Sequence, residues 1–311
     1  MVRLQSMGMT PTHDWHALYP FASHTVALNG HRFHYVDEGT GPVLLLVHGN
    51  PTWSFYWRDL ILALRDRYRV LAVDHIGCGL SDKPSPKEYS YRLSQRVADL
   101  GQFIETLDLR EITLVAHDWG GGIGMGAAVA APERFARFVL MNTGAFRAER
   151  CPRAIHLAHV PLLGQVAVQG LNLFVQAALR TTVAKPERMT PAVRAGYLAP
   201  YDSWAHRVAV YRFVQDIPLR PSHPSYQTLL NIEQGLVKFR QHPVCLIWGM
   251  RDWCFSPWFL ERFIGIFPQA EVHRLEDAGH YVVEDAHEQI VPLMETFLRR
   301  HMANPAKAIE K

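Results

Sequence analysis

The segment from Leu114 to Ile123 constrains the fold of this chain more than any other. Its first residues, Leu114-Val115-Ala116, are apolar and typical of a buried strand, and the glycines that follow Trp119 are typical of a tightly packed helix. Asp118 lies between the two, where the strand would end and the helix would begin. The segment therefore predicts a strand–turn–helix unit that presents a carboxylate at the end of a strand.

A carboxylate at such a turn supports two interpretations. An Asp side chain is ionised at neutral pH, with a reference pKa of about 3.9, so it can attack a carbon atom without a base and form an ester. Its natural target is an sp³ carbon with a leaving group, such as a halide, an epoxide oxygen or a strained lactone oxygen. Alternatively, Asp118 only caps the helix and accepts hydrogen bonds from its first N–H groups.

Strand-like runs recur along the chain, and helix-length apolar patterns separate them from the third strand onward. Between Ser90 and Leu107, for example, apolar residues recur every three or four positions and form one helix face. Such alternation predicts an α/β fold, with a mostly parallel eight-stranded sheet covered by helices on both faces and an antiparallel pair at its start. The predicted strands are Thr25–Leu28, Phe33–Val36, Val43–Val47, Val70–Val73, Ile112–Ala116, Phe138–Met141, Val244–Trp248 and Glu271–Leu275.

The alternation stops between residues 145 and 223, where prolines are frequent and short helical patterns replace strands. We interpret this stretch as a helical cap inserted after the sixth strand, with a substrate pocket between cap and core. The predicted organisation is an N-terminal extension (1–20), a core (21–144 and 224–300), the cap (145–223) and a flexible tail (301–311).

Composition excludes several function classes. The 311 residues carry a net charge of +3 without a run of Lys and Arg, which argues against nucleic-acid binding. The four cysteines match no zinc or disulfide framework. No apolar run approaches the ~20 residues of a membrane-spanning helix, and the N-terminus lacks the pattern of a signal peptide. We therefore expect a cytoplasmic protein; a homo-oligomer is compatible with the sequence.

The sequence contains no well-supported motif for binding a dinucleotide or a metal ion. The run Gly122–Ala127 formally fits a dinucleotide-binding pattern, but it follows the fifth strand, and no acidic residue closes a strand about 20 residues later. The 17 histidines are dispersed, without the spacing of a metal site. We expect neither a metal nor an organic cofactor.

Further polar residues follow other predicted strands, at the sheet edge where ligand sites of open parallel sheets lie. His48-Gly49-Asn50-Pro51 follows the third strand, Asp252 the seventh and His280 the eighth. A histidine that acts as a base needs a carboxylate to orient it. Because the sixth strand ends without a carboxylate, we expect Asp252, which follows the seventh strand, to orient His280. Glu284 and Asp285 come shortly after His280, and we expect them to face solvent or to pair with arginines.

With these residues identified, the chain resembles the haloalkane dehalogenases, which have the α/β-hydrolase fold, from about residue 21 to residue 297. The matching motifs are HGNPTWSFYWR (48–58), DHIGCGLSDKP (74–84), VAHDWGGGIG (115–124), WGMRD (248–252) and AGHY (278–281). The resemblance implies that Asp118 is the nucleophile, His280 the base and Asp252 its orienting acid. It also implies that Asn50 and Trp119 hold the halide with their side chains and the oxyanion with their backbone N–H groups.

The same resemblance leaves the substrate open. An asparagine in the halide pair and an acid after strand seven are the combination of the third dehalogenase group. That group overlaps with cis-olefin-forming β-lactone decarboxylases, and the cap segments 195–202 and 212–218 look like those of the lactone enzymes. Haloalkane hydrolysis through an Asp118 ester, with water as second substrate and halide as product, is thus the first hypothesis, and lactone decarboxylation is the alternative.

Three other classes are less consistent with these residues. Epoxide hydrolases share the HGxP and HDWGG motifs but need two cap tyrosines, for which Tyr197, Tyr201 and Tyr211 are candidates. Serine esterases are excluded by Asp118. A non-catalytic binding protein of this fold would carry a broken triad, whereas Asp118, Asp252 and His280 are all present.

Overall fold

The computed structural model describes residues 14–148, 160 and 162–302, which build one eight-stranded sheet. The strand order is β1-β2-β4-β3-β5-β6-β7-β8; β2 pairs antiparallel with β1 and β4, and all other pairs are parallel. The strands are β1 (His24–Leu28), β2 (His31–Glu38), β3 (Val43–Val47), β4 (Arg69–Val73), β5 (Ile112–Asp118), β6 (Phe135–Thr143), β7 (Val244–Gly249) and β8 (Glu271–Leu275). The predicted fold class is confirmed.

The described helices alternate with the parallel strands, except between β6 and β7, where several follow one another. The longer ones are α1 (Arg58–Leu64), α2 (Leu93–Thr106), α3 (Trp119–Ala130), α4 (Leu173–Thr181), α5 (Pro191–Leu198), α6 (Val208–Gln215), α7 (Tyr226–Gly235), α8 (Pro257–Ile266) and α9 (Val282–Met302), which is kinked at Ala286. Short helical turns are Trp15–Leu18, Ser54–Trp57, Pro132–Arg134, Leu163–Gln165, Val166–Gly170, Pro186–Arg188, Ala205–Arg207 and Leu236–Phe239.

Two apolar cores cover the two faces of the sheet. Alternate residues of β3 divide between them, because successive side chains of a strand point to opposite faces: Leu45 and Val47 join one core, Leu44 and Leu46 the other. The first core contains residues of α2, α3, α7 and α8, and the second contains residues of α1 and α9. All of β5 is buried, which explains its continuous apolar sequence.

Residues 163–215 lie in the predicted cap stretch and form helices and turns without strands. The bounds of the four predicted regions remain a prediction, and most of the N-terminal extension and of the tail lies outside the described residues. No described helix combines the length and the hydropathy that a membrane crossing requires. Cys78 and Cys245 are buried free thiols, whereas Cys151 lies outside the described residues.

Candidate active site

Asp118 lies at a sharp turn between β5 and α3, in a backbone conformation that few residues other than glycine adopt (φ 53°, ψ −127°). Such outliers cluster at functional sites because the surrounding structure must enforce them. Its side chain accepts no capping hydrogen bond from α3. The helix-cap interpretation is therefore wrong, and the carboxylate is available for another partner.

The loop after β3 holds one oxygen of this carboxylate. The backbone N–H of Asn50 donates to Asp118 Oδ1 at 2.7 Å. Gly49 permits this approach, because a Cβ atom at that position would collide with the Asp118 carboxylate. Half of the predicted oxyanion-binding arrangement, the Asn50 N–H, therefore faces the predicted nucleophile.

His280 lies between two carboxylates, all three of them buried. Its Nδ1 donates to Asp252 Oδ2 at 2.8 Å, and its Nε2 lies 3.4 Å from Asp118 Oδ2. Asp252 also accepts hydrogen bonds from the backbone N–H groups of Cys254 (2.6 Å) and Phe255 (3.0 Å). The three residues predicted as nucleophile, acid and base thus form one connected chain of contacts.

The two carboxylates determine the protonation of His280. Burial by itself lowers the pKa of a histidine, but the charge of Asp252, together with the contact to Asp118, outweighs it and raises the pKa of His280 to about 10. Burial raises the pKa of Asp252, but the charge and hydrogen bond of His280 hold it below its ordinary value. At neutral pH His280 is therefore an imidazolium that contacts both carboxylates.

A cavity of about 780 Å³ opens onto Asp118, Trp119, Asn50 and His280. Apart from Asp118 and His280, no described side chain that lines it is charged. Leu93 of α2 lines it, Phe146 lies in the segment after β6, and the helices and helical turns between β6 and β7 contribute Val168, Phe174, Val214 and Leu229. The site can therefore bind an apolar molecule with one reactive centre next to the carboxylate.

The side chains of Asn50 and Trp119 both lie at this cavity. The Asn50 amide nitrogen donates to the backbone oxygen of Val210 at 3.2 Å; a primary amide carries two hydrogens, so the second remains for a ligand. The Trp119 ring packs against Phe213, with ring centres 5.3 Å apart. All five residues predicted from the sequence are thus brought together, and their chemical roles remain a prediction.

Comparison with known proteins identifies the family. Residues 42–286 match the profile of the family described as alpha/beta hydrolase fold. The chain belongs to the α/β-hydrolase fold family. It is 42% identical to a cis-3-alkyl-4-alkyloxetan-2-one decarboxylase of Shewanella oneidensis, covering 94% of each chain. It is also 35% identical to haloalkane dehalogenase 2 of Mycobacterium tuberculosis, covering 88% of this chain and 93% of the relative.

Solved structures agree with these relatives. The haloalkane dehalogenase DatA from Agrobacterium tumefaciens superposes with a TM-score of 0.81 at 25% identity, over 90% of this chain and 96% of its own. The resemblance predicted from the motifs is thereby confirmed, both to the haloalkane dehalogenases and to the lactone enzymes. This α/β-hydrolase has relatives in two reaction classes.

Sequence reasoning missed two groups that support the predicted triad. Asn142, at the end of β6, donates its amide to Asp252 Oδ2 at 2.9 Å and to the oxygen of Gly249 at 3.0 Å. Asp285 neither faces solvent nor pairs with an arginine: it is buried and accepts hydrogen bonds from backbone N–H groups, so the expectation for it is wrong. Glu284 is buried and pairs with Arg58 at 2.5 Å, which agrees with the expected arginine partner.

The three tyrosines considered for an epoxide hydrolase do not reach the cavity. Tyr197 donates its hydroxyl to Glu284, and Tyr201 donates to the backbone oxygen of Thr52. Neither these two nor Tyr211 is among the described residues that line the cavity. This geometry argues against epoxide opening by those tyrosines. The described residues also contain no cluster of His, Cys, Asp and Glu that fits a metal ion.

Proposed function

We propose that this protein converts cis-3,4-dialkyl β-lactones into cis-alkenes and carbon dioxide, with Asp118 as the nucleophile. The observation that carries the proposal is the cavity, which is apolar and has a volume of about 780 Å³ around a single nucleophilic carboxylate. Pockets for drug-sized ligands span roughly 300–1,000 Å³. A lactone with two alkyl chains uses such a volume, whereas a short haloalkane leaves much of it empty.

The relatives support placing lactone decarboxylation before haloalkane hydrolysis. The sequence motifs alone put haloalkane hydrolysis first and lactone decarboxylation second. Identity reverses that order: the decarboxylase of Shewanella oneidensis shares 42% of aligned residues, and the mycobacterial dehalogenase shares 35%.

The proposed reaction needs no water and no net proton transfer. Asn50 N–H holds Asp118 Oδ1, so Oδ2 attacks the ring carbon that carries the ring oxygen. That C–O bond breaks, leaving a free carboxylate on the neighbouring carbon. The bond from that carbon to the carboxylate then breaks, its electron pair forms the double bond, and Asp118 leaves as carboxylate while carbon dioxide is released. Attack from the rear followed by anti elimination preserves the cis arrangement of the two alkyl groups.

The surrounding donors suit the charge that moves in this reaction. A carboxylate develops as the ring opens, next to the Asn50 amide, the Trp119 indole and the His280 imidazolium. Fixed donors of this kind are typically worth about 2.7–4 kcal/mol each to a transition state with growing negative charge. In this reaction His280 acts as a cation rather than as a base.

Haloalkane hydrolysis is the second candidate, and the Asn50–Trp119 pair at the cavity favours it. A halide leaving an sp³ carbon would meet the same two donors. In that reaction the Asp118 ester persists until His280, having first released its own proton to solvent, takes a proton from a water molecule that attacks the carbonyl carbon of the ester.

A side-by-side assay tests the proposal. Wild type and Asp118→Asn are incubated with a cis-3,4-dialkyl β-lactone and, separately, with a 1-bromoalkane, and alkene, carbon dioxide and bromide are measured. We expect equimolar cis-alkene and carbon dioxide from the lactone with wild type only. Bromide release without lactone turnover would contradict the proposal and leave haloalkane hydrolysis as the function.

A further inference from the structure

The residue directly before the nucleophile, His117, is fully buried and has no part in the reaction described above. Its Nε2 lies 2.8 Å from the backbone oxygen of His280. A carbonyl oxygen only accepts hydrogen bonds, so His117 Nε2 carries the hydrogen and donates it. Within the described part of the chain, His117 Nδ1 has no hydrogen-bond partner.

Aromatic neighbours fix the orientation of the His117 ring. It stacks on Tyr56, with ring centres 4.5 Å apart and an interplanar angle of 27°, and Trp57 meets it edge-on at 6.4 Å. The His280 ring lies 4.6 Å away. Burial, reinforced by the charge of His280, lowers the pKa of His117 to about 3, so this side chain remains a neutral donor.

We propose that His117 is a positioning residue for His280. Asp118 ends β5, and His280 lies in the loop after β8, so the two reacting groups belong to separate elements. The hydrogen bond from His117 joins the end of β5 directly to the backbone of that loop. It therefore helps to set the separation of 3.4 Å between Asp118 Oδ2 and His280 Nε2.

Only one other hydrogen bond to the same oxygen is described, from the backbone N–H of Val282 at 2.8 Å. That bond stays within one segment, made of the loop after β8 that carries His280 (residues 276–281, the histidine loop) and the first residue of α9. It does not connect this loop to Asp118. Loss of the His117 donor would leave the loop intact, held through Ala278 and Tyr281 to other segments, but without its direct hydrogen bond to the end of β5 that carries Asp118. A misplacement of about 1 Å in an active site can cost on the order of 100-fold in rate.

The test compares His117→Gln, His117→Met and wild type. A glutamine amide can donate from about the position of the imidazole Nε2, whereas methionine fills a similar volume without a donor. We expect His117→Met to lower kcat for lactone decarboxylation by about 10- to 100-fold with little change in KM, and His117→Gln to retain most of the wild-type kcat. Circular dichroism and thermal unfolding establish that each variant is folded.

A second measurement needs no substrate. The proton between His280 Nδ1 and Asp252 gives a low-field NMR signal, which we expect to shift or broaden in His117→Met and to remain in His117→Gln. The kinetic part rests on the proposed function, whereas this signal does not, so the two can fail separately. If His117→Met does not fold, His117→Asn, whose shorter amide does not reach the His280 oxygen, takes its place.

Equal kcat values for the glutamine variant and the donor-free variant would overturn the proposal, because volume rather than the donor would then matter. An unchanged His280 signal in a folded variant without the donor would also overturn it. If wild type decarboxylates no lactone, the proposed function fails, and the NMR comparison alone decides the role of His117.

Discussion

At His280, the charge of the active site depends on two neighbouring carboxylates. The pKa of about 10 follows from Asp252 at 2.8 Å and from Asp118 at 3.4 Å, which together outweigh burial. An ester on Asp118 has no negative charge, so the pKa of His280 falls when the ester forms. We therefore expect His280 to be a better base once an ester forms on Asp118, the stage at which haloalkane hydrolysis needs a base and lactone decarboxylation does not.

Replacing His280 separates the two reactions. In His280→Gln exposed to a 1-bromoalkane, we expect Asp118 still to attack, because a carboxylate needs no base for this step, whereas no base activates water. We expect a burst of about one bromide per active site without turnover, and an alkyl group on the Asp118 peptide by mass spectrometry. With a β-lactone the same variant should continue to turn over, at a reduced rate. A folded variant that forms no adduct with any chain length would argue against Asp118 as nucleophile towards haloalkanes.

The raised pKa of His280 also predicts how stability changes with pH. The folded pKa of about 10 exceeds the value of about 6.5 expected for an unfolded chain. The imidazolium therefore stabilises the fold fully below about pH 6.5, and this contribution is lost as the pH rises through 10. Urea unfolding should show the stability difference between wild type and His280→Gln shrinking from pH 7 to pH 10. A difference that stays constant would show that His280 is neutral in the folded protein.

At the scale of elements, the histidine loop is attached to the segment after α4. The buried Asp285 carboxylate accepts hydrogen bonds from Gly279 N (2.7 Å), Ala184 N (2.8 Å) and Lys185 N (2.9 Å). The Tyr281 N–H donates to the oxygen of Thr182 at 3.0 Å. Because Thr182 lines the cavity, one wall of the cavity and the predicted base are held together.

Asp285→Asn tests this connection. An asparagine replaces one acceptor oxygen with a donor, leaving at least one buried N–H without a partner, and we expect unfolding free energy to fall by about 1–3 kcal/mol. Glu288→Gln is the matched control. Glu288 lies on the same face of α9 as Asp285 and pairs with Arg188, but both members of this pair are partly exposed. That pair should contribute less than about 1 kcal/mol. Urea unfolding measures both variants. Equal losses of unfolding free energy would show that the buried hydrogen bonds of Asp285 matter no more than an exposed ion pair.

Sequence predicts elements better than it predicts such connections. All eight strands occur where the apolar runs indicate, and β6 extends to Phe135–Thr143 because its flanking residues still pair with β5. Asp118, Asp252 and His280 could be found because each follows a strand. The environment of Asp285 could not be predicted, since its backbone partners lie 6 to 101 residues away. Nearly every residue has a backbone N–H group, so residue types do not reveal which ones a carboxylate will contact. The role of Asn142 was missed for a similar reason: an amide that orients a carboxylate looks like any loop asparagine.

At the scale of the whole molecule, the cavity is lined by residues that follow strands of the sheet and by helices between β6 and β7, so its dimensions should determine which alkyl chains fit. Gly122 of α3 lines the cavity, and a Cβ atom there would make only ordinary contacts, at 3.5 Å from the oxygen of Gly144 and 3.9 Å from Leu93. A larger side chain at Gly122 therefore extends into the cavity rather than into the core.

Gly122→Leu should shift selectivity towards shorter chains. Each substrate methylene that no longer fits into the cavity loses about 0.8 kcal/mol of burial free energy, which lowers kcat/KM roughly fourfold. Gly101→Leu is the control, because Gly101 lies in α2, away from the cavity lining, and a Cβ atom there meets nothing within 4 Å. The measurement is kcat/KM over a series of lactones of increasing chain length. An identical chain-length profile for both variants would show that this part of the cavity does not hold substrate.

The fate of the Asp118 oxygens distinguishes decarboxylation through an Asp118 ester from hydrolysis of that ester. Wild type is allowed many turnovers in H₂¹⁸O, and the Asp118 peptide is then weighed by mass spectrometry. Decarboxylation through an Asp118 ester breaks the bond between the substrate carbon and the carboxylate oxygen, so after β-lactone turnover Asp118 should contain no ¹⁸O. Hydrolysis of the ester at its carbonyl carbon leaves a water oxygen on the carboxylate, so a bromoalkane that is turned over should label it. Heavy oxygen on Asp118 after turnover of the lactone would contradict decarboxylation through an Asp118 ester.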